Sequence, residues 1–417
     1  METILVERSC GLDVHPETVV ACLLLPQAGP RPKRLVQTFG TFSADLRQLR
    51  QWLVEHGVTH VGMESTGIYW MPVYAELEQE PSLQLIVGNA QHIKNVPGRK
   101  TDVTDAHWLA TLVRMGLIKP SFVPPAPLRE LRKLLRTRRT LVQCQADERN
   151  RMLKVLEMSN VKLDSVVSDV FGVSGMAMLR ELAAGQTDEK KLSELSRGRL
   201  RKKIPQLQRA LEGRLTVADR LVLRLHLSRL EHTEKQLVEL DVQIDERMEP
   251  YRDASKRLQQ IPGVGPVTAM TMVAEMGVDM TAFPTAGHLA AWAGVCPGNN
   301  QSGGKRRNAS TRKGNPYLCT ALVEAAQSAR NLKRGYFRDK FYRLRARRGD
   351  KRAAMAIAHK IVVCAWHMLK GGVDYKDLGD AYLDRFDERR VVAQLLKRLD
   401  TLGYQVQATK RPAAPAA

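Results

Sequence analysis

The stretch Cys10-Gly-Leu-Asp-Val-His-Pro-Glu-Thr-Val-Val-Ala-Cys-Leu-Leu-Leu25 decides the fold of the first part of the chain. The short apolar run before Asp13 and the longer run over 19–25 are typical of buried strands. Between them, His15-Pro-Glu-Thr18 has the composition of a turn. The sequence therefore predicts two strands joined by a short turn, with Asp13 at the end of the first strand.

Strands and helices alternate after this hairpin. The predicted elements are strands over 34–42, 59–63 and 83–87 and helices over 44–56, 71–78 and 106–118. Four prolines between 120 and 127 end the region. Strands in hairpin order, followed by alternation of strands with helices, favour a mixed sheet. Residues 1–125 are therefore predicted to form an α/β domain.

Four acidic residues lie where metal ligands could lie: Asp13, Glu64, Asp102 and Asp105. The first two each end a predicted strand. The other two are three residues apart at the start of a predicted helix, a spacing that places both on one helix face. Carboxylate oxygens are the ligands that Mg²⁺ and Mn²⁺ prefer. The pattern predicts a site for two divalent cations, which in a basic protein suits phosphodiester chemistry.

The same four acids also have an ordinary explanation. Acids at strand ends and helix N-termini cap the chain and complement the helix dipole, and these are four of 44 acidic residues. For Asp102 or Asp105 alone, capping is the better explanation. The order strand, strand, helix favours the metal site for the set of four. His107 is either a residue behind the ligands or an ordinary helix residue.

Charge and composition indicate the class of partner. The 417 residues carry a formal net charge of +21, which favours a polyanion, nucleic acid first and an acidic membrane second. No apolar run approaches the roughly 20 residues that span a bilayer, and the first residues do not have the pattern of a signal peptide. The six scattered cysteines form no Cys-x-x-Cys pair, which argues against a zinc ribbon and for a reducing, cytoplasmic setting. For a protein that acts on DNA, we expect association with the nucleoid.

Residues 126–250 are predicted to be helical throughout. Leucines recur at helical spacing over 128–141, and a second apolar pattern runs over 217–248. The second pattern consists of Leu221, Leu225, Leu230, Leu237, Leu240 and Ile244. Together they predict an antiparallel helical hairpin or coiled coil. The region is either an oligomerisation surface, a nucleic-acid arm or a plain bundle, and we favour oligomerisation into a dimer or tetramer.

Residues 251–372 are predicted to form a second compact unit, mainly helical, and residues 373–417 a helical and then disordered tail. The unit opens with Ile261-Pro-Gly-Val-Gly265, which is typical of a helix-hairpin-helix turn. In such a turn Gly263 and Gly265 would expose backbone N–H groups to a DNA phosphate without reading bases. An ordinary turn between helices explains the same residues equally well.

A later loop carries a candidate nucleophile. In Gly294-Val-Cys-Pro-Gly-Asn-Asn-Gln-Ser-Gly-Gly-Lys-Arg-Arg307, a serine lies among asparagines and glycines and three cations follow. This composition predicts a flexible loop with an exposed hydroxyl at Ser302. Candidate phosphate ligands are Lys305, Arg306, Arg307, Arg312 and Lys313. The alternative is a solvated basic loop that only grips phosphate.

The motifs together resemble one family. They are Gly11-Leu-Asp13-Val-His, Val61-Gly-Met-Glu64-Ser-Thr-Gly, Lys100-Thr-Asp102-Val-Thr-Asp105-Ala, Ile261-Pro-Gly-Val-Gly, Ala293-Gly-Val-Cys-Pro-Gly-Asn-Asn-Gln-Ser302-Gly and Lys313-Gly-Asn-Pro-Tyr-Leu. In this order they resemble the DEDD transposases of insertion sequences, bridge-RNA-guided enzymes with a RuvC-like domain and a C-terminal serine-bearing domain. The sequence is also similar to the pilin-gene-inverting site-specific recombinases. The resemblance covers about residues 5–370, with no departure at the four acids or the serine.

The resemblance implies a ribonuclease H-like, RuvC-like fold for residues 1–125, in which Asp13, Glu64, Asp102 and Asp105 bind Mg²⁺ or Mn²⁺. It implies that Ser302 attacks a DNA phosphate and forms a phosphoserine link. Such a link conserves the energy of the phosphodiester, so strands can be exchanged without ATP. It further implies DNA ends and target as partners, a bridge-type guide RNA and an active site completed between protomers.

Two other functions would use the same features. A metal-dependent nuclease of the Holliday-junction type needs the four acids but not the serine. A non-catalytic nucleic-acid-binding protein needs neither, and the intact acids argue against it. The sequence therefore predicts a DNA transposase or site-specific recombinase of a mobile element.

Overall fold

The computed structural model describes residues 5–28, 31–94, 96, 105–298, 300–302, 305–308, 311, 313–380, 382–386 and 388–409. For residues 91, 300–302 and 305–308 it describes the backbone alone. The chain divides into two compact units, Met1–Ala126 and Pro127–Ala417. The finer predicted boundaries at residues 250 and 372 stay predictions.

The described part of the first unit contains one five-stranded mixed sheet. Its strands are β1 (Ser9–Val14), β2 (Thr18–Leu25), β3 (Lys33–Gly40), β4 (His60–Glu64) and β5 (Gln84–Gly88). They lie in the order β3-β2-β1-β4-β5. The pairs β1–β2 and β2–β3 are antiparallel, and β1–β4 and β4–β5 are parallel. The predicted hairpin and the predicted mixed sheet are both confirmed.

Helices cover both faces of this sheet. They are α1 (Ser43–Glu55), α2 (Trp70–Leu77), α3 (Ala90–Lys94) and α4 (Asp105–Arg114). Leu46, Leu49 and Leu53 recur at helical spacing on α1, and all three are buried. With Val73 and Leu77 of α2 they share a cluster with alternate residues of β1. The intervening β1 residues face α4, because side chains alternate along a strand.

The second unit is mostly helical. Its helices are α5 (Ala126–Met158), α6 (Leu163–Val166), α7 (Val173–Ala184), α8 (Glu189–Glu194), α9 (Ile204–Leu211), α10 (Val217–Met248), α11 (Arg252–Gln259), α12 (Pro266–Met276), α13 (Ala286–Trp292), α14 (Pro316–Arg330), α15 (Tyr336–Arg348), α16 (Asp350–Gly371) and α17 (Glu388–Thr401). Two short strands are β6 (Asn300–Ser302) and β7 (Lys305–Asn308). The helical middle and the mainly helical later part are thus confirmed.

The long helices α5 and α10 form the predicted antiparallel hairpin. Their ion pairs run in opposite directions along the chain: Glu130 with Arg247 at 3.6 Å, Arg138 with Asp241 at 2.5 Å and Arg149 with Glu234 at 4.0 Å. The chain between the two helices forms α6–α9, which pack around a buried cluster that includes residues of both long helices.

The apolar face of α10 differs in part from the predicted pattern. Leu230 and Ile244 are buried as the pattern requires, together with Leu223. Leu221 and Leu225, however, are 46% and 51% exposed. The core-facing stripe is therefore displaced around the helix from the leucines that the sequence pattern emphasised.

None of the helices in the described ranges combines the length and apolarity needed to cross a membrane.

Candidate functional site

Two of the four predicted ligands lie at the ends of neighbouring parallel strands. Leu12 of β1 pairs with Met63 of β4, so the next residue on each strand is one of the two acids, Asp13 and Glu64. Residues in register on adjacent parallel strands project from the same face of the sheet. Both carboxylates are partly buried. The strand-end arrangement that the sequence predicted is present for this pair.

Helix α4 lies directly on that face of the sheet. A Cβ on Gly11 would lie 2.2 Å from the carbonyl oxygen of Ala106, so the helix backbone touches β1 there. The Ser9 hydroxyl donates to the carbonyl oxygen of Ala110 at 3.2 Å. Residue numbers along α4 thus decrease as residue numbers along β1 increase, so the two elements run in opposite directions. Helix α4 begins at Asp105. The N-terminus of α4 therefore points toward the end of β1 that carries the first acid.

Local hydrogen bonds hold the strand-end acids. Asp13 Oδ2 lies 3.1 Å from His15 Nε2, and the Thr66 hydroxyl donates to Glu64. Asp102 lies outside the described residues, so its predicted pairing with Asp105 on one helix face stays a prediction.

The donor set of the described acids suits a hard divalent cation. All the predicted donors are carboxylate oxygens, which Mg²⁺ prefers. The predicted set includes no cysteine and no histidine other than His107. Within the described ranges, which omit Asp102, no three His, Cys, Asp or Glu side chains form a group that could hold a metal ion. The carboxylate chemistry is of the kind that Mg²⁺ or Mn²⁺ prefers, but Asp13, Glu64 and Asp105 do not by themselves form such a group, so the metal site stays a prediction.

His107 is the third residue of the same helix. Its Nδ1 atom is buried, and no hydrogen-bond partner for it exists in the part of the chain that is described. Burial, together with the charge of Arg34, lowers the pKa of His107 from its usual value. Its predicted place behind the ligands stays a prediction.

The candidate helix-hairpin-helix turn connects α11 and α12. Gly263 has φ 90°, and a Cβ on it would lie 2.2 Å from the carbonyl oxygen of Ala325. This glycine is therefore required by the backbone conformation and by packing against α14. Gly265 precedes Pro266 as the residue before the first turn of α12, and a Cβ there would meet nothing within 4 Å. Of the two glycines, Gly265 has the open surface that a phosphate contact would need.

The predicted serine loop is a β-hairpin closed at its base. A Cβ on Gly314 would lie 2.3 Å from the backbone nitrogen of Gly294, so the two ends of the loop touch. The Asn315 N–H donates to the carbonyl oxygen of Trp292 at 3.1 Å, and Pro297 bridges Thr311. We call this set of contacts between residues 292–297 and 311–315 the neck.

Ser302 ends the first strand of this hairpin. It pairs with Lys305 of β7, so two residues connect the strands. The predicted loop contains two short strands, because β6 and β7 pair in antiparallel register. Its flexibility and the exposure of the Ser302 hydroxyl stay predictions.

The candidate phosphate-binding cations are only partly described. Lys313 is exposed. The structure describes only the backbone of Lys305, Arg306 and Arg307, and Arg312 lies outside the described residues. Further along, Arg343 donates hydrogen bonds to Asp384 and Asp339, and these bonds raise its pKa. Its guanidinium is therefore already paired within the protein. Exposed cations that form no ion pair with a described residue lie at the α15–α16 junction: Arg347, Arg348, Lys351 and Arg352.

Sequence reasoning missed Glu275, an acid on the otherwise apolar helix α12. Its side chain is 1% exposed, and Arg132 and Arg136 of α5 form ion pairs with it. Two signals were available: a lone carboxylate in the run Val267-Thr-Ala-Met-Thr-Met-Val-Ala-Glu-Met276, and two arginines four residues apart on a leucine-rich helix.

Two family models match this chain, one at each end. The model described as a transposase of the DEDD type of IS110 elements matches residues 10–160. The model described as "Transposase IS116/IS110/IS902 family" matches residues 255–343. The first match contains the strand-end acids and α4, and the second contains the interhelical turn and the serine hairpin.

Curated relatives agree with these models. The transposase for insertion sequence element IS1111A of Coxiella burnetii is 26% identical over 70% of this chain and 84% of its own length. A protein of insertion element IS116 of Streptomyces clavuligerus is 27% identical over 69% of this chain and 79% of its own length. The transposase y4pF/y4sB of Sinorhizobium fredii is 33% identical, but the match spans 33% of that protein and 30% of this chain.

Both models and two of these three relatives are named as transposases, the third is a protein of an insertion element, and the two model matches follow the order of the predicted motifs. The predicted resemblance to insertion-sequence transposases is confirmed at that level. The chain belongs to the IS110/IS116/IS902 family of transposases.

Proposed function

We propose that this transposase cuts and rejoins the DNA strands of a mobile element, using the four acids to hold two Mg²⁺ or Mn²⁺ ions and Ser302 as nucleophile. The observation that carries the proposal is the convergence of Asp13, Glu64 and the N-terminus of α4 on one face of the sheet. Asp102 would complete the set. Bound cations would neutralise charge that develops on the phosphate during the reaction.

The covalent step balances without a further reactant. The Ser302 oxygen attacks the phosphorus of a DNA phosphodiester and loses its proton to solvent. A new serine–phosphate ester forms while the bond from phosphorus to one deoxyribose oxygen breaks, and that oxygen takes up a proton. A hydroxyl of another strand then attacks the ester and releases the serine. The phosphodiester count is unchanged, so no ATP is consumed.

Ser302→Ala tests the nucleophile. With the hydroxyl removed, we expect no recombination and no covalent protein–DNA adduct, while DNA affinity stays unchanged. The adduct is measured by denaturing the reaction and mapping the modified peptide by mass spectrometry. Ser310 and Ser328 are the serines to compare, and Ser328 lies within α14. A link at Ser310, or activity retained in Ser302→Ala, would favour a metal-dependent nuclease in which Ser302 only contacts phosphate.

The nucleic-acid partners are DNA and a bridge-type guide RNA. A net charge of +21 and the exposed cations after Ser302 support binding to a phosphate backbone through counterion release. We expect log K for DNA or RNA to fall steeply with log salt. A nearly flat plot would contradict a backbone clamp. Sequencing of RNA that copurifies with the full chain tests the guide, and the same element-encoded RNA should recur in each preparation.

Self-association through the α5–α10 hairpin is part of the proposal. Val217, Leu221 and Leu225 are exposed and lie four residues apart along α10, so they form an apolar stripe on the face opposite the core. Light scattering of the full chain with nucleic acid should give a dimer or tetramer. A strict monomer with and without nucleic acid would contradict this part. A cytoplasmic location beside the nucleoid follows from such partners.

A further inference from the structure

Glu275 is buried more deeply than any other acid among the described residues. Arg136 holds it with two parallel hydrogen bonds of 2.8 Å, one to each carboxylate oxygen. The Asn315 side-chain amide donates to it at 2.7 Å, and Arg132 Nε lies 3.2 Å away. A buried carboxylate without such partners would be strongly unfavourable. We call these four residues the clasp.

The clasp contacts the chain on both sides of the serine hairpin. The Arg132 guanidinium lies 5.8 Å from the centre of the ring of Trp292, the first residue of the neck. The Arg136 guanidinium lies 4.1 Å from the centre of the Tyr317 ring, just after it. Both arginines lie on α5, and Arg132 also donates to the carbonyl oxygen of Ala274. The long helix α5 therefore grips the two chain segments that enter and leave the hairpin.

Asn315 has two separate tasks in this arrangement. Its side-chain oxygen accepts from the N–H groups of Tyr317 and Leu318, which caps the N-terminus of α14. Its side-chain amide donates to Glu275, as described above. Its backbone N–H meanwhile closes the neck through Trp292. One residue thus fixes the start of a helix, the end of the hairpin and the connection to the clasp.

We propose that Glu275 is a positioning residue: through Asn315 it fixes the neck against α5 and so aims Ser302, at the hairpin tip, at the scissile phosphate. This inference rests on the proposed role of Ser302. Gly314 and Gly294 make the neck narrow, so a small rotation at Asn315 is transmitted along both strands. A displacement of about 1 Å at the reacting atom can cost roughly 100-fold in rate.

A purely adhesive role explains the clasp less well. Replacing a buried ion pair by apolar residues of similar volume is often neutral or stabilising, so adhesion does not require charge here. An exposed ion pair, Arg139 with Glu324 at 3.3 Å, already joins α5 to α14 nearby. What the ionic clasp adds is fixed direction, because the paired hydrogen bonds of arginine allow one orientation of the carboxylate.

The test exchanges the amide and the carboxylate in the full chain. Glu275→Gln leaves two arginines without their carboxylate, and Asn315→Asp places two carboxylates in contact, although aspartate still caps α14. The double variant Glu275→Gln with Asn315→Asp restores one amide, one carboxylate and the same net charge. We expect each single variant to form the covalent DNA adduct about 100-fold more slowly at saturating DNA, with unchanged DNA affinity. The double variant should recover most of the rate.

Hydrogen exchange of the backbone amides in residues 294–314 is the second readout. Each single variant should exchange faster there, and the double variant should return to the wild-type rate. Glu324→Gln, which breaks the exposed pair between the same helices, is the matched control and should change neither readout. All rates are measured well below the thermal midpoint of each variant, so that loss of folding does not enter.

The outcomes separate the two proposals. Unchanged exchange and an unchanged adduct rate in both folded single variants would overturn the clasp. Loss in the singles without recovery in the double variant would also overturn it, since charge balance would then not be what matters. Absence of an adduct in the wild type, with faster exchange in the singles and recovery in the double, would overturn Ser302 and leave the positioning of the hairpin by Glu275 supported.

Discussion

The strand-end acids and the serine hairpin are supported in opposite ways. Asp13 and Glu64 are the penultimate and the last residue of two adjacent inner strands of a five-stranded sheet, with helices packed on both faces. Ser302 ends one strand of an isolated two-stranded hairpin, an element that is marginally stable without further packing. The acids are positioned by a core, whereas the serine is positioned by its neck. Substitutions inside the sheet should therefore impair the acids, whereas substitutions at the base of the hairpin should impair the serine.

The largest effect is expected from Asp13→Asn. Removing one anionic ligand should lower DNA cleavage in Mg²⁺ at least about 100-fold, because the charge that stabilises the transition state is lost. The fold and DNA affinity should be retained, since Asp13 is only partly buried. Cleavage is measured on a labelled DNA substrate. Glu17→Gln, at an exposed acid in the adjacent turn, is the control. Undiminished cleavage by Asp13→Asn would remove the metal assignment.

Gly11→Ala tests whether the core positions the acids. The added Cβ would meet helix backbone at 2.2 and 2.3 Å, so α4 must move away from β1. We expect the unfolding free energy to fall by about 1–3 kcal/mol, and cleavage to fall further than stability alone explains. Denaturant unfolding and cleavage are measured together. Gly40→Ala is the control, because its Cβ would meet only the flexible Asp45 side chain. Equal behaviour of the two variants would contradict the close packing of α4.

Gly314→Ala tests whether the neck positions the serine. Its Cβ would lie 2.3 Å from the Gly294 nitrogen and 2.6 Å from the Trp292 oxygen, so the hairpin base must open. We expect adduct formation to slow roughly tenfold while DNA affinity is kept. Time courses at saturating DNA give the rate. Gly287→Ala, where the Cβ has an ordinary 3.5 Å contact, should behave as wild type. A normal rate in Gly314→Ala would mean that the hairpin tip is positioned by something other than its neck.

The smallest effect is expected from Thr216→Ala, outside both regions. Thr216 and Asp219 form a capping box at the start of α10, and loss of such a cap lowers stability by about 1 kcal/mol. Adduct formation should not change, which makes this variant a baseline for stability loss without misplacement. If Thr216→Ala slowed adduct formation as much as Gly314→Ala, the slowing in Gly314→Ala would have to be assigned to lost stability and not to a displaced hairpin.

The same cap also has a pH signature. Hydrogen bonds from the Thr216 hydroxyl and N–H lower the pKa of Asp219. The stability that this contributes is therefore present above the unfolded-state pKa and is lost as pH falls through the lower folded-state pKa. Thr216→Ala should remove the share of that acid dependence that the hydroxyl contributes, and should keep the share of the backbone N–H. Thermal unfolding as a function of pH measures it.

The sequence by itself determined most of the architecture. Apolar runs and helical periodicity located all five strands of the sheet and the extent of α10, because burial demands a period of two or 3.6 residues. Strand ends also made Asp13 and Glu64 candidates, since a polar side chain at the end of a buried strand can reach solvent, and their role as ligands stays a prediction. The order of the motifs was enough to indicate the transposase family.

Only the tertiary structure decided which neighbours share a site. Gly263 is needed for packing on α14, whereas a Cβ on Gly265 would meet open space. The sequence motif does not distinguish these two glycines. The buried stripe of α10 excludes Leu221 and Leu225 because α5 and the helices after it set the direction of the core. Glu275 meets Arg132, Arg136 and Asn315 across up to 143 positions of sequence. Contacts over such separations depend on how packed helices orient one another, and no local pattern encodes that.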